Sequence, residues 1–235
     1  MFKIIFQIIL LVYIIFVIHS FLEIQKYNQN GYLMNYNTNI SDTHEGLKSL
    51  NPVQFNNHFI SSNQLTEFSL NINDIPTLIN LKEEKHINIF KNKELINIFN
   101  VYEHINIIDH IFFQDNKLLI PIHKSISIYK DYYQKELIKC LHNYNIIHVI
   151  SGETKIFLFN PKHEKEIIHK NNTEIKKWGQ RVIIQENDTI IIPTNWYYFI
   201  ETEKDVILYH TDIDTYFTFI PNLLKKKYIS YQYLN

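Results

Sequence analysis

A mainly β fold, an antiparallel barrel or double-sheet jelly roll, is predicted by three observations. Beyond Asp115 the chain breaks into eight short apolar runs between residues 117 and 220. Turn chemistry separates them, notably Ser151-Gly152 and Glu186-Asn187-Asp188. A hydrophobic content of 46% in 235 residues suffices for the core of one domain.

The first element is of another kind. Residues 4–22 (IIFQIILLVYIIFVIHSFL) carry no acidic or basic residue apart from the titratable His19. As a helix this stretch is about 28 Å long, close to the hydrocarbon thickness of a bilayer and longer than the apolar region of a signal peptide. Residues 1–22 therefore read as a signal-anchor transmembrane helix, because the one plausible cleavage point, Ile18-His19-Ser20, has a bulky residue where a small one is preferred. Lys3 precedes the span, whereas Glu23 and Lys26 follow it, which favours a cytosolic N-terminus and a lumenal or external body. Sequons at Asn39, Asn171 and Asn187 fit that topology, although an Asn-rich chain also produces them by chance.

Residues 23–64 are polar, contain Asn30-Gly31 and keep no sustained period, as expected of a stalk or irregular arm. In residues 82–98, Ile87, Phe90 and Leu95 recur beside charged residues, followed by Phe99. This predicts one or two short amphipathic helices, or a loop with one helix. The eight strand-like runs follow, at 117–121, 144–150, 155–159, 182–184, 189–192, 196–201, 206–210 and 216–220.

Composition excludes several functions. A formal net charge of −1 gives no basic field for a nucleic-acid backbone. The single cysteine, Cys140, rules out an internal disulfide and every Cys-based zinc pattern. Four scattered glycines cannot build a phosphate cradle. Cys140 and His142, two residues apart, lack an oriented third group for nucleophilic catalysis. His163, Glu164, Glu166 and His169 read as a solvated turn.

Two stretches go beyond fold class. Residues 145–161 (NIIHVISGETKIFLFNP) resemble the strand, Gly turn, strand and Pro unit of JmjC-type and related cupin-like hydroxylases. Residues 182–201 (VIIQENDTIIIPTNWYYFIE) are similar to the Gly-Asp, Ile-Pro and Trp-Trp-His hairpin of those families. They lack the Gly before Asp188 and have Tyr at both positions after Trp196. With the C-terminal tail from Tyr209 to Asn235, the chain also looks like membrane-anchored cupin-like proteins of large DNA viruses. The resemblance implies a cupin-type double-stranded β-helix within a domain at residues 65–235, its barrel core at about 118–220, with a few helices N-terminal to it.

In these hydroxylases an HxD pair and a closing His hold Fe(II) beside 2-oxoglutarate. Carried over, the pair falls on Lys139 and Leu141, and the closing His falls on Tyr198, a neutral phenol and a poor ligand for a divalent metal. The Lys that clamps 2-oxoglutarate falls on Thr154. Lys155 has the outward strand parity. A rebuilt site would need His142, with Tyr144 at the carboxylate position, and His210. His148 has the parity of the outer face. Of the aromatic run 196–199, two rings line the barrel and two point outward, as core or as a stacking platform.

The expectation is therefore a membrane-anchored cupin-like module without catalytic residues, metal or cofactor. It would bind a protein or small-molecule ligand through the barrel-lining residues Asn145, Thr154, Trp196 and Tyr198. The alternative is an Fe(II)/2-oxoglutarate hydroxylase with displaced ligands, His142 and His210 first among them. A sugar-nucleotide-modifying cupin using Tyr198 or a His as acid ranks last.

Overall fold

The computed structural model describes residues 2–23, 25–36, 49–56, 86–88, 119–129 and 131–224. Helix α1 (Phe2–Glu23) is followed by strands β1 (Met34–Tyr36), β2 (Val53–Asn56), β3 (His86–Asn88) and β4 (Leu119–Tyr129). Next come β5 (Tyr133–Gln134), β6 (Ile138–Lys139), β7 (Tyr144–Ser151) and β8 (Glu153–Phe159). Helical turns α2 (Glu164–Ile167) and α3 (Asn172–Ile175) precede β9 (Gln180–Gln185), β10 (Asp188–Pro193), β11 (Tyr197–Thr202) and β12 (Val206–Thr215).

The strands form two sheets. One has the order β1-β2-β10-β7-β12-β4-β3, and the other β5-β11-β8-β9, with β6 also on β11. Along the chain β4, β7, β10 and β12 enter the first sheet, while β5, β8, β9 and β11 enter the second. Eight strands distributed in this way form the cupin-type jelly roll.

Strand alternation builds the core. Ile147, Val149, Ile190, Ile192 and Leu208 of the first sheet meet Ile156, Leu158, Val182, Ile184 and Ile200 of the second, with Tyr129, Trp196 and Tyr198 among them. Each fully buried aliphatic side chain contributes about 1.5–3 kcal/mol. Residues of opposite parity face outward. Phe157, Phe159, Tyr197 and Phe199 are covered by Ile167 of α2 and Ile175 of α3, while Ile146, Ile191, Ile213 and Val53 form a second cluster on the other sheet. The two turns read from sequence are left-handed, with Gly152 at φ 88° and Asn187 at φ 69°.

Several expectations are corrected. Residues 25–36 and 49–56, read as part of a stalk or irregular arm, pack against the body. β2 pairs with β10, Val53 is fully buried, and Asn160 Nδ2 donates to the carbonyls of Asn28 (2.9 Å) and Gly31 (3.1 Å). Trp196 Nε1 donates to the Leu50 carbonyl at 3.1 Å, and a Cβ on Gly31 would stand 2.8 Å from the Trp196 ring. These polar residues satisfy backbone groups, so polarity did not mark a free segment. Within 82–98, the described residues 86–88 are strand β3, antiparallel to β4; the rest of that stretch lies outside the described residues. Residues 216–220 are not a strand. Thr215 and Thr218 each bond the other's backbone N–H through their side chains (2.9 and 3.1 Å), and residues 219–224 are helical. Pro221, in the first turn of that helix, is tolerated there because no intrahelical donor is lost.

Helix α1 is the one helix among the described residues long and apolar enough to cross a membrane, over Lys3–Leu22. Its flank touches the end of β12. Tyr13 Oη donates to the Tyr216 carbonyl at 3.2 Å, and the Phe16 and Phe217 ring centroids are 5.1 Å apart.

The β7–β8 turn supplies a test. A Cβ on Gly152 would lie 2.6 Å from the Asp205 carbonyl oxygen, at a φ that L residues avoid. Gly152→Ala is expected to cost about 1–3 kcal/mol, read as a lowered thermal-unfolding midpoint.

Candidate functional site at the barrel mouth

Strand β12 supplies the centre of the site. His210, Asp212 and Asp214 share the inward parity with Val206 and Leu208, whereas Tyr209, Thr211 and Ile213 face the other way. In register, His210 stands opposite Ile147 and Asp212 opposite Asn145 on β7. Tyr198 approaches from β11 of the facing sheet, and its hydroxyl lies 3.4 Å from His210 Nε2.

Acceptor-only carboxylates fix the proton positions. Asp214, 1% exposed, accepts from Asn143 N (3.1 Å), Asn222 Nδ2 (2.6 Å) and His142 Nδ1 (2.9 Å). His142 Nδ1 therefore carries hydrogen, and its Nε2 faces Asp212 Oδ2 at 3.7 Å. Asp212 Oδ1 accepts from Asn145 Nδ2 at 2.5 Å. That contact orients the Asn145 amide, so its Oδ1 must accept from His210 Nε2 at 2.7 Å. Two hydrogen-bonded groups thus meet here, Asn222, Asp214 and His142 on one side and Asp212, Asn145, His210 and Tyr198 on the other, with His142 and Asp212 in contact at 3.7 Å between them.

Burial sets the charge states. It lowers the His210 pKa to about 4, and Lys135, His123 and His142 push the same way against the opposing Asp212. His210 is accordingly neutral, a single donor at Nε2. Burial, and then the Asp212 charge, raise Tyr198 well above the usual phenol range. Burial also lowers Lys135, which Asp212 partly offsets.

The residues singled out from sequence separate into two groups. Asn145, Tyr198, His142 and His210 meet in this cluster. Thr154 and Trp196 do not. Thr154 is four residues along β8 from Leu158, the partner of Tyr198, or about 13 Å. Its hydroxyl donates to the Glu201 carbonyl at 3.1 Å, and Trp196 seals the Gly31 arm. Tyr144 packs beside the outer cluster rather than at a ligand position. Cys140 Sγ lies against the carbonyls of His142 and Ile192, at 3.4 and 3.5 Å. His163 stacks on Trp178 with centroids 5.2 Å apart.

Asp212, Asp214, Lys135 and Asn222 were missed. The signal was present for the two acids: His210-Thr211-Asp212-Ile213-Asp214 alternates with period 2 once β12 is carried to Thr215 rather than ended at His210.

An Fe(II) centre does not fit these residues. Lys139 lies outside the barrel, paired with Glu164 at 3.0 Å, and its ammonium sits over the Tyr197 ring. Leu141 has no donor atom, and Tyr198 keeps its proton. His210 Nε2 carries hydrogen, which leaves it no lone pair for a metal. Among the described residues, no three His, Cys, Asp or Glu side chains are placed to hold a metal ion.

No protein-family model and no curated protein matches this chain. Among solved structures it is similar to the Drosophila melanogaster CENP-C cupin domain, with TM-score 0.28 and 13% identity, covering 42% of this chain and 62% of that one. A structure of Drosophila melanogaster CENP-C bound to CAL1 gives the same values. The Schizosaccharomyces pombe Cnp3 cupin domain gives 0.29 and 13%, covering 41% of this chain and 59% of that one. This chain thus spans about three fifths of their length, and the fold assignment rests on the strand order above.

Two predictions follow from burial. Asp214→Leu leaves the hydrogens of Asn143, Asn222 and His142 without an acceptor and is expected to cost about 3–5 kcal/mol, measured by denaturant unfolding. The second concerns His148, fully enclosed on the outer face, with Nδ1 2.8 Å from Thr189 Oγ1 and its pKa lowered by burial to about 4. For His148 and His210 alike the unfolded chain takes up protons below about pH 6.5 that the folded state refuses until about pH 4. Stability is therefore full above pH 6.5 and falls toward pH 4, by about 3 kcal/mol per histidine. In His148→Gln the slope of unfolding free energy against pH in this window is expected to drop by about one proton.

Proposed function

We propose that this chain is a membrane-anchored cupin-like binding module, descended from the JmjC-like hydroxylase type and without metal chemistry of its own. Helix α1 is the single-pass anchor, and the body is lumenal or external, on a host endomembrane or a virion membrane. The barrel mouth takes a polar small-molecule ligand or a side chain of a protein partner; nucleic acid is not a partner.

The observation that carries this reading is the hydrogen-bonded group Asp212, Asn145, His210 and Tyr198, in which His210 Nε2 is already a donor to Asn145. The mouth end of that group still offers recognition groups. The side chains of Asp212 and His210 keep 19% and 16% exposure. Lys135 contributes an ammonium with no hydrogen-bond or ion-pair partner among the described residues, within electrostatic reach of Asp212 and His210. Hydrogen-bonding and charged groups of both signs suit a ligand with both acceptors and donors.

Metal analysis of the full chain, purified in detergent, tests the proposal. Substoichiometric iron, and no 2-oxoglutarate turnover when iron and ascorbate are supplied, are expected. One iron per chain, or turnover lost in His142→Ala, would overturn it.

A further inference from the structure

The described residues contain two sequons, and their surroundings differ. Asn171-Asn172-Thr173 lies in the link between α2 and α3, where His169, Lys170, Asn171 and Thr173 are all exposed. Asn171 caps α3. Its Oδ1 accepts from Glu174 N at 2.9 Å, and its Nδ2 donates to Glu174 Oε1 at 2.8 Å.

Asn187-Asp188-Thr189 lies in the β9–β10 turn. There the Asn187 Oδ1 is buried without a hydrogen-bond partner. Thr189 is fully buried, its Oγ1 lies 2.8 Å from His148 Nδ1, and its strand is paired on both edges, with β2 and β7.

We propose that Asn171 is an N-glycan acceptor and that Asn187 stays bare. The inference rests on the reading that the body is lumenal. The co-reactant is an oligosaccharide linked to a lipid diphosphate. The bond from the sugar's anomeric carbon to the diphosphate oxygen breaks, a bond from that carbon to Asn171 Nδ2 forms, and the displaced amide proton leaves with the diphosphate.

The product suits the fold at Asn171. A secondary amide keeps its carbonyl, so the Oδ1 bond to Glu174 N survives, and it retains one N–H for the Glu174 carboxylate. At the N-cap that carbonyl is the group the helix needs. At Asn187 the same amide is pressed into the protein by its enclosed oxygen, and the threonine hydroxyl that an acceptor site requires two residues on is held inside the sheet.

The full chain is expressed in cultured eukaryotic cells in an Asn39→Gln background, and its gel mobility is compared before and after endoglycosidase. A shift of one glycan is expected. It should be lost in Asn171→Asp, Asn171→Gln and Thr173→Ala and retained in Asn187→Gln. Asp is itself a good N-cap, so loss of the shift in Asn171→Asp is not a folding defect. Protease protection of a C-terminal epitope tag in microsomes reads topology separately. A protected tag with no shift, or with a shift that follows Asn187, overturns the acceptor assignment and leaves the topology standing. A protease-accessible tag overturns both.

Discussion

Strand β12 is hydrogen-bonded along both edges, to β4 from Val206 to Thr215 and to β7 from Ile207 to Ile213. A strand held in this way cannot slip by one residue without exchanging its two faces. Its outward set, with Tyr209 and Ile213 buried, and its inward set, with Val206 and Leu208 in the core, lock each other in place. His210, Asp212 and Asp214 face inward because their neighbours in sequence have somewhere apolar to go. The positions of Asn145 and His142 follow, since they reach the cluster from the partner strand β7 and the loop before it.

Two enclosed carboxylates in one barrel would be costly if either lacked donors. Asp214 has three, and one of them is a backbone N–H that no side-chain substitution removes. Asp212 is nearer the solvent and orients an amide. Polar networks specify one arrangement of a core to the extent that their members are satisfied, and here Asn222 Oδ1 is the member buried without a partner. The network occupies the space between the two sheets. The outer face is less complete: His148 Nε2 and Thr211 Oγ1 are buried without partners.

The fold was largely legible because its signal is the alternation of long buried strands. β7, β8, β10 and β11 were found within a residue or two, and β9 and β12 were found short. What escaped was encoded elsewhere. β5 and β6 have two residues each, too few for a period, and β1 and β2 lie in a polar stretch whose contacts are backbone hydrogen bonds. At the site, strand parity placed Tyr198 and Asn145 toward the interior, and Lys155 and His148 away from it, but it left the facing of His210 open. It could not place Asp214, since run 206–210 stopped before it. Nor could it show that Trp196, inward by parity, is closed off by Gly31, a contact between positions 165 residues apart in the chain.

Tyr13 and Phe16 lie near the middle of the apolar span, and Tyr13 is about 14 Å along the axis from Leu22. Yet these residues touch Tyr216 and Phe217, at the end of β12. Full insertion of α1 therefore either draws that corner of the barrel, with the exposed Ile220, Leu223 and Leu224, into the hydrocarbon, or breaks the contact. The docked helix and a helix inserted beneath a fully hydrated barrel are mutually exclusive states. If α1 spans a membrane, the depth of the body in the bilayer is coupled to whether residues 216–217 hold the helix or release it.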